Sequence, residues 1–354
     1  MAQSLLTPLP EFDQQFPLNP RIDAAWSLPQ KDEFARQFVA ARDVVEAVYY
    51  TEADRNTTAG ARTRKFLGAL FNPIIGRPVK DAEHFYETFG RLMRQAWLSV
   101  SVGIYDDAIR AIPEAATRLH TSQVNTIDLA WRPTASTIPD DGLIVEVGTG
   151  RGNSVARLAQ LFPQARIVTI TISPEQKTIA EQVIAQMGIT NVEIRQGDIF
   201  DPAVTDDLVG QADAVGVIEV TGHFPHEHKA EGIGMFARML KPGATLSLLD
   251  SALRQPLNKF LENFYTNQSW YFGTREGYFT AFDAAGVTPV SYLKHSDNVL
   301  DTFTDTTTVL RRYRADLRRD FGAIMGLFWP ELPGTVYLST IKQIDYVQIV
   351  GVKD

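Results

Sequence analysis

The pattern of apolar and polar residues divides the chain into a helical first part and a second part that alternates strands with helices. Residues 31–50 place apolar side chains three or four positions apart, the spacing of one buried helix face, at Phe34, Phe38, Ala41, Val45 and Val48. Residues 81–112 repeat this spacing at Phe85, Phe89, Leu92, Met93 and Ala96. We therefore predict mainly helix from Lys31 to about Ala130, after a proline-rich arm at residues 1–30.

The period changes after residues 131–142, a loop rich in proline and small polar residues. Residues 143–148 read LIVEVG, a short apolar run typical of a strand buried on both faces. Further strand-like runs follow at residues 165–173, 192–199, 212–220, 244–251, 287–293 and 343–354, with helical stretches between them. Strands that alternate with helices in this way indicate right-handed crossovers and a parallel sheet.

These elements predict an α/β fold: a Rossmann-like, doubly wound, mostly parallel sheet of seven strands. Residues 1–140 are expected to form the arm and a helical lid region, and residues 141–354 the sheet domain. A helical, aromatic-rich insertion is expected after the fifth strand, at about residues 255–285.

Composition excludes several classes of function. Hydrophobic residues make up 44% and charged residues 21%, which are the values of an ordinary folded protein. A net charge of −8 disfavours a nucleic-acid partner, because such a chain repels phosphates. The chain has no cysteine, and it shows neither a secretory signal nor an apolar run long enough to span a membrane. A cytoplasmic location is expected by default.

The segment VEVGTGRGN at residues 145–153 lies between the first strand and its helix. Glycines in this turn let the backbone approach a ligand closely. The spacing G-x-G-x-G, at Gly148, Gly150 and Gly152, differs from the dinucleotide pattern G-x-G-x-x-G, which disfavours an NAD-dependent oxidoreductase. Glu146 at the strand tip would repel a pyrophosphate but could hold a cationic amino group.

An acid followed by G-x-G-x-G after the first strand resembles the class I S-adenosylmethionine-dependent methyltransferases. The later segments TISPEQ, QGDI, IEVTGHF and LKPGATLSLLD resemble, in order, motifs of the branch that contains cyclopropane synthases and sterol methyltransferases. The resemblance covers residues 141–250 well. It implies that S-adenosylmethionine is the cofactor. No metal site is predicted, because the spacing of His223, His226 and His228 fits no zinc site.

The resemblance also implies which residues bind this cofactor. The three glycines and Asn153 would line its methionine part, and Glu146 would hold the amino group. Asp198 would accept a hydrogen bond from the adenine amino group, with the Ile199 backbone beside it. Thr171 or Gln176 would take the ribose, since the acid found there in many relatives is absent. Ser173 belongs to this segment, although S-P-E-Q is also a helix capping box.

Two residues beyond the fourth strand are candidates for proton transfer. Glu219 and His223 lie at the carboxyl edge of the sheet, and either could act as a base. Tyr105 is a third catalytic candidate, because QAWLSVSVGIY resembles a stretch before the glycine loop of sterol-type methyltransferases. Its ring face could stabilise a cation.

The leading hypothesis is an enzyme that methylates a small, apolar metabolite on carbon, nitrogen or oxygen. The alternative is a cyclase or isomerase that binds the same cofactor without net methyl transfer. The expected partner is the small acceptor molecule. The oligomeric state is left open between a monomer and a homodimer in which the proline-rich arm reaches the second copy.

Overall fold

A computed structural model describes residues 26–55, 57–74, 90–98, 101–334 and 341–354. A sheet of eight strands forms its centre, in the order β3-β2-β1-β4-β5-β8-β7, with the two-residue β6 paired to β5. The strands are β1 (Leu143–Val147), β2 (Arg166–Thr171), β3 (Val192–Gln196), β4 (Ala212–Ile218), β5 (Leu240–Leu253), β6 (Gly273–Thr274), β7 (Val287–Lys294) and β8 (Ile344–Lys353).

The predicted doubly wound, mostly parallel α/β sheet is confirmed. Strands β1 to β5 pair in parallel, whereas β8 runs antiparallel to both β5 and β7. Strand order reverses at β1, which pairs with β2 on one side and β4 on the other. Ligands of such sheets bind outside the carboxyl ends of the strands at this switch point.

Helices cover both faces of the sheet. In chain order they are α1 (Leu28–Asp54), α2 (Ala59–Ile74), α3 (Asp107–Arg110), α4 (Ala115–Trp131), α5 (Asn153–Leu161), α6 (Pro174–Gln186), α7 (Pro202–Thr205), α8 (Lys229–Met239), α9 (Lys259–Thr266), α10 (Arg275–Ala284), α11 (Leu300–Arg312), α12 (Arg314–Phe321) and α13 (Ala323–Phe328). Short 3-10 turns lie at Asp206–Leu208, Thr221–His223, His226–His228, Ser296–Asn298, Trp329–Glu331 and Ile341–Gln343. None of the helices within the described ranges is long and apolar enough to cross a membrane.

Helix α1 packs against α4 and α6 with most of its predicted apolar face. Phe34, Phe38, Ala41 and Val45 are buried there, together with Val183 of α6. Val48 was predicted on the same face, but this prediction was wrong, because 58% of its side chain is exposed. The buried stripe of this helix turns to Tyr50 instead.

The continuous helix predicted over residues 81–112 is wrong where the structure describes it. Residues 90–93 are helical, residues 101–106 are not, and α3 begins only at Asp107. Backbone N–H groups of the non-helical stretch donate to side chains of distant elements: Val102 to Glu219, and Gly103 to Thr302. Phe85 and Phe89 lie outside the described residues.

The insertion expected at residues 255–285 consists of α9, β6 and α10. Helix α10 packs on α8 and β7 and so belongs to the cover of the sheet, whereas α9 contacts α2. Helices α11 to α13 form a second excursion, between β7 and β8, and α11 packs against α4. The described helices of the N-terminal half thus lie over the same edge of the sheet as the later ones.

Candidate active site

The loop after β1 holds its glycines in left-handed backbone conformations. Gly148 has φ 95°, and a Cβ atom there would lie 2.4 Å from Cγ2 of Val220, so only glycine fits without rearrangement. Gly150 has φ 52°. The Gly148 N–H donates to the Ile170 carbonyl at 2.9 Å, which fixes the start of the loop on β2.

Glu146 lies at the end of β1 with only 1% of its surface exposed. Its carboxylate accepts a hydrogen bond from the Thr169 hydroxyl at 3.1 Å, and Thr169 in turn contacts the Thr149 hydroxyl at 2.8 Å. Burial raises the pKa of Glu146 to about 7. A cation placed against this acid would favour its charged form.

The loop after β2 is organised by short-range hydrogen bonds. The Thr171 hydroxyl donates to the Gln176 side-chain oxygen at 2.8 Å. The Ser173 hydroxyl accepts from the Gln176 N–H at 3.2 Å, so Ser173 is the N-cap of α6, as the capping-box interpretation predicts. Ile172, between them, exposes 43% of its surface to the pocket.

One pocket at the carboxyl edge brings most of the predicted residues together. Its wall includes ten of them: Glu146, Gly148, Gly150, Asn153, Thr171, Gln176, Asp198, Ile199, Glu219 and His223. Asp198 is exposed at the mouth, and its carboxylate accepts from the Phe200 N–H at 3.1 Å. Ile199 is buried beside it.

Three predicted residues do not line this pocket. Ser173 is buried behind it. Gly152 has φ 88° and is the N-cap of α5, where a Cβ atom would lie 3.1 Å from that of Ala180, so it serves close packing between α5 and α6. Tyr105 is fully buried, and its hydroxyl donates to Asp305 at 3.0 Å.

Glu219 follows β4 with φ 54°, a conformation that is rare outside glycine. It is buried, and its carboxylate accepts hydrogen bonds from the Tyr346 hydroxyl at 2.7 Å and the Val102 N–H at 3.0 Å. Burial raises the pKa of Glu219 to about 8, against the opposing effect of these two bonds. Sequence reasoning missed both donors, because they come from opposite ends of the chain.

His223 lies in the turn that follows. Its Nδ1 is 2.8 Å from the Ser269 carbonyl, which can only accept, so Nδ1 carries the proton and Nε2 the lone pair. Burial lowers the pKa of His223 to about 4, which keeps the ring neutral near pH 7. The ring packs edge-on against Trp270, with centroids 4.7 Å apart.

Two buried charged residues, Asp250 and Lys229, hold the turn that carries His223. Asp250 accepts from the Thr221 hydroxyl at 2.5 Å and from the Gly222 N–H at 3.1 Å, while Lys229 donates to the Thr221 carbonyl. Burial raises the pKa of Asp250 and lowers that of Lys229 to about 8. The turn that carries His223 is therefore rigidly placed.

A second buried network joins the glycine loop to α1. Arg151, which is 4% exposed, forms an ion pair with Glu46 and donates to the Tyr50 hydroxyl at 3.1 Å. Tyr50 donates in turn to Glu175 at the start of α6, at 2.8 Å. Sequence reasoning missed this network; its only signal was an arginine between the loop glycines.

No three acidic, histidine or cysteine side chains come together as a metal site within the ranges that the structure describes. His226 and His228, next to His223 in sequence, are exposed.

A family model described as a methyltransferase domain matches residues 144–243. These residues thus match a methyltransferase domain, a family that uses S-adenosylmethionine as its cofactor. The matched segment runs from β1 into β5 and thus contains all the pocket residues contributed by the first four strands.

The methyltransferase domain also resembles known proteins. A curated tRNA (guanine-N(7)-)-methyltransferase from Hydrogenovibrio crunogenus is 28% identical over 96 residues, which cover 24% of this chain and only 40% of that relative. A solved 4+2 cyclase is 17% identical, with a TM-score of 0.63 over 78% of this chain and 98% of its own. A cyclopropane synthase from Mycobacterium tuberculosis is 15% identical, with a TM-score of 0.64 over 80% and 98%. At these identities the two structures show a shared fold alone.

Proposed function

We propose that the chain binds S-adenosylmethionine in this pocket and transfers its methyl group to a small, largely apolar molecule. The observation that carries the proposal is the composition of a single pocket wall. One end, here called the cofactor end, holds Glu146, Gly148 and Asp198, and the other, the acceptor end, holds Glu219 and His223.

The cofactor end suits the three parts of an amino-acid-bearing nucleoside. Glu146 would pair with the amino group, which accounts for a buried acid at the strand tip. Gly148 would allow the methionine part to lie against the backbone. Asp198, exposed at the mouth, would accept from the adenine amino group, with Ile172 and Ile199 as apolar walls.

In this proposal the ribose hydroxyls form hydrogen bonds with the side chain of Gln176. The Thr171 hydroxyl proton is already donated to the Gln176 side-chain oxygen, which leaves the Gln176 amide N–H groups as donors for a ligand. Ser173 contributes only indirectly, by capping the helix on which Gln176 lies.

Apolar side chains adjoin Glu219 and His223 at the acceptor end. Ile127, Ile218 and Phe224 line it, together with Ser101. Ser101 and Ile127 come from the N-terminal half, which supports the lid role expected for residues 1–140. The bound cofactor supplies an electrophilic methyl carbon, and the chain would hold the acceptor in line with it and exclude water.

Glu219 is the stronger candidate for proton acceptor. Its raised pKa makes its carboxylate a better base than His223, whose pKa is lowered. The Tyr346 and Val102 donors fix its position, and the left-handed backbone shows that the surroundings constrain it. His223 would then orient the acceptor through Nε2. Tyr105 has no place in this scheme, because its ring is fully buried and does not line the pocket, so it cannot face a cation bound there.

Methyl transfer can be tested with methyl-labelled S-adenosylmethionine and a panel of small apolar hydroxyl, amine and alkene compounds. The proposal expects label in a product that forms only with the protein present. Calorimetry with S-adenosylhomocysteine, run in parallel, tests cofactor binding independently of the acceptor. No heat in that titration would overturn the whole scheme.

The same experiment distinguishes methyl transfer from the alternative, a cyclase or isomerase reaction. The 4+2 cyclase with a similar fold supports this alternative, although at 17% identity it supports it through the fold only. Product that forms without label, while S-adenosylhomocysteine still binds, would replace methyl transfer by this reaction.

A further inference from the structure

Two further cavities lie at the carboxyl edge of the sheet, beside the cofactor pocket. The first is lined by aromatic side chains, Tyr265, Trp270, Tyr271 and Phe272. The second, here called the polar recess, is lined by Arg254, Arg275, Tyr292, Lys294 and Asp345. Both cavities share Leu253, Arg254 and Glu276 in their walls, so they are neighbours, and together they are here called the rim groove.

The rim groove is separated from the acceptor end of the pocket by a single pair of rings. His223 lines the pocket and Trp270 lines the groove, and their ring centroids are 4.7 Å apart. The groove therefore lies directly beside the acceptor end of the pocket.

Two of the three cations in the polar recess share one counter-ion. Asp345 is buried and accepts from Arg254, and the Lys294 ammonium lies 3.2 Å from its other oxygen. The Ser296 hydroxyl donates to the same carboxylate at 2.8 Å. Arg254 and Lys294 are therefore both engaged within the protein.

Arg275 differs from its neighbours. Its guanidinium lies over the Tyr292 ring at 4.7 Å and 5.7 Å from that of Phe279. Its Nε is buried without a hydrogen-bond partner, and no carboxylate in the described part of the chain pairs with it. A buried donor without a hydrogen bond costs free energy, and a planar guanidinium offers paired N–H groups to a planar anion.

We propose that the acceptor is an amphipathic carboxylate, whose apolar body lies along the aromatic half of the rim groove and whose carboxylate binds Arg275. This assignment rests on the proposed function, since it takes the groove as an extension of the methyl-transfer site. A singly charged carboxylate fits better than a phosphate, because the exposed acids Glu276 and Asp297 also line the recess and repel a second negative charge.

The test uses decanoate, decanol and decyl phosphate as probes in calorimetry with the full chain. Decanoate is expected to bind at least tenfold more tightly than decanol. Arg275→Gln should remove this preference: the affinity for decanoate should fall at least tenfold, and the affinity for decanol should fall less than twofold. Arg275→Lys, which keeps the charge but loses the planar fork, should keep part of it. The matched control Arg311→Gln, at an exposed arginine paired with Glu331, should change nothing.

The assignment of Arg275 is overturned if decanoate and decanol bind equally well, or if Arg275→Gln keeps the preference for decanoate. Tighter binding of decyl phosphate than of decanoate would overturn the choice of a carboxylate. Titration of each variant with S-adenosylhomocysteine shows whether it is folded. Because neither titration needs turnover, failure of the wild type to bind S-adenosylhomocysteine refutes the proposed function, whereas failure to prefer decanoate refutes only the groove.

Discussion

The cofactor end and the acceptor end of the pocket are held together over very different distances along the chain. At the cofactor end, Thr171 bonds to a residue 5 positions away, Asp198 to one 2 positions away, and Glu146 to one 23 positions away. At the acceptor end, Glu219 bonds to residues 117 and 127 positions away, and His223 to one 46 positions away. A cofactor site can thus be encoded in short motifs, whereas the acceptor site depends on the assembled fold.

The largest effect is expected at the acceptor end. Glu219→Gln removes the proposed base and should lower turnover about a hundredfold or more, with S-adenosylhomocysteine affinity changed less than twofold. Because the base acts deprotonated, kcat/KM of the wild type should rise with pH through about 8, and the variant should lose this rise. Glu227→Gln, at an exposed acid of the same loop, is the control. Wild-type turnover in Glu219→Gln would show that Glu219 is not the base. His223→Asn would then test His223 in that role.

The next effect tests the cofactor end through pH. Glu146→Gln should weaken the binding of S-adenosylhomocysteine about tenfold at pH 8. At pH 6 the substitution should have very little effect, because the wild-type acid is already protonated at that pH. Below pH 7 the wild-type affinity should fall by up to tenfold per pH unit, because binding needs the carboxylate form. Calorimetry at both pH values measures this, with the exposed Glu181→Gln as control. A pH-independent wild-type affinity would show that the amino group does not pair with Glu146.

A third comparison, between two glycines, distinguishes two causes of destabilisation by an added Cβ atom: backbone strain and lack of space. Gly148 and Gly188 both have positive φ, 95° and 70°, but only at Gly148 would a Cβ atom meet another side chain. Gly188→Ala should cost about 1 kcal/mol of unfolding free energy, from strain alone. Gly148→Ala should cost about 2 kcal/mol or more and also weaken cofactor binding. Equal losses in chemical denaturation would mean that Val220 can move away.

The smallest effect is expected at the mouth of the pocket. Asp198→Asn should weaken S-adenosylhomocysteine about fivefold, because the carboxylate is exposed and water competes for its bonds. Normal affinity in this variant would show that the adenine lies elsewhere.

The same difference between the two ends explains what the sequence could predict. Thr171 ends a strand, and Gly148 and Asp198 lie within two residues of a strand end, so their position at one edge comes from the topology of a parallel sheet. Glu219 was also predicted, but its donors Val102 and Tyr346 were not, because nothing local marks either residue.

Tyr105 shows the opposite case. Its spacing from Trp97 pointed to the pocket, yet the structure turns its hydroxyl to Asp305 and gives the Trp97 ring N–H to Thr306 at 2.6 Å. The segment that carries it was expected to be helical, but residues 101–106 are not, and their N–H groups donate to side chains and backbone carbonyls of other elements. Such long-range competition with helix hydrogen bonds leaves no periodic trace in sequence.

The ion pair between Arg151 and Glu46 has a consequence for how the protein can be divided. A fragment that begins at the first strand would keep every glycine of the loop but would lose both the helix that covers Arg151 and the carboxylate that pairs with it. Helix α1 is therefore part of the support of the glycine loop, and it can dock only after that loop has been synthesised.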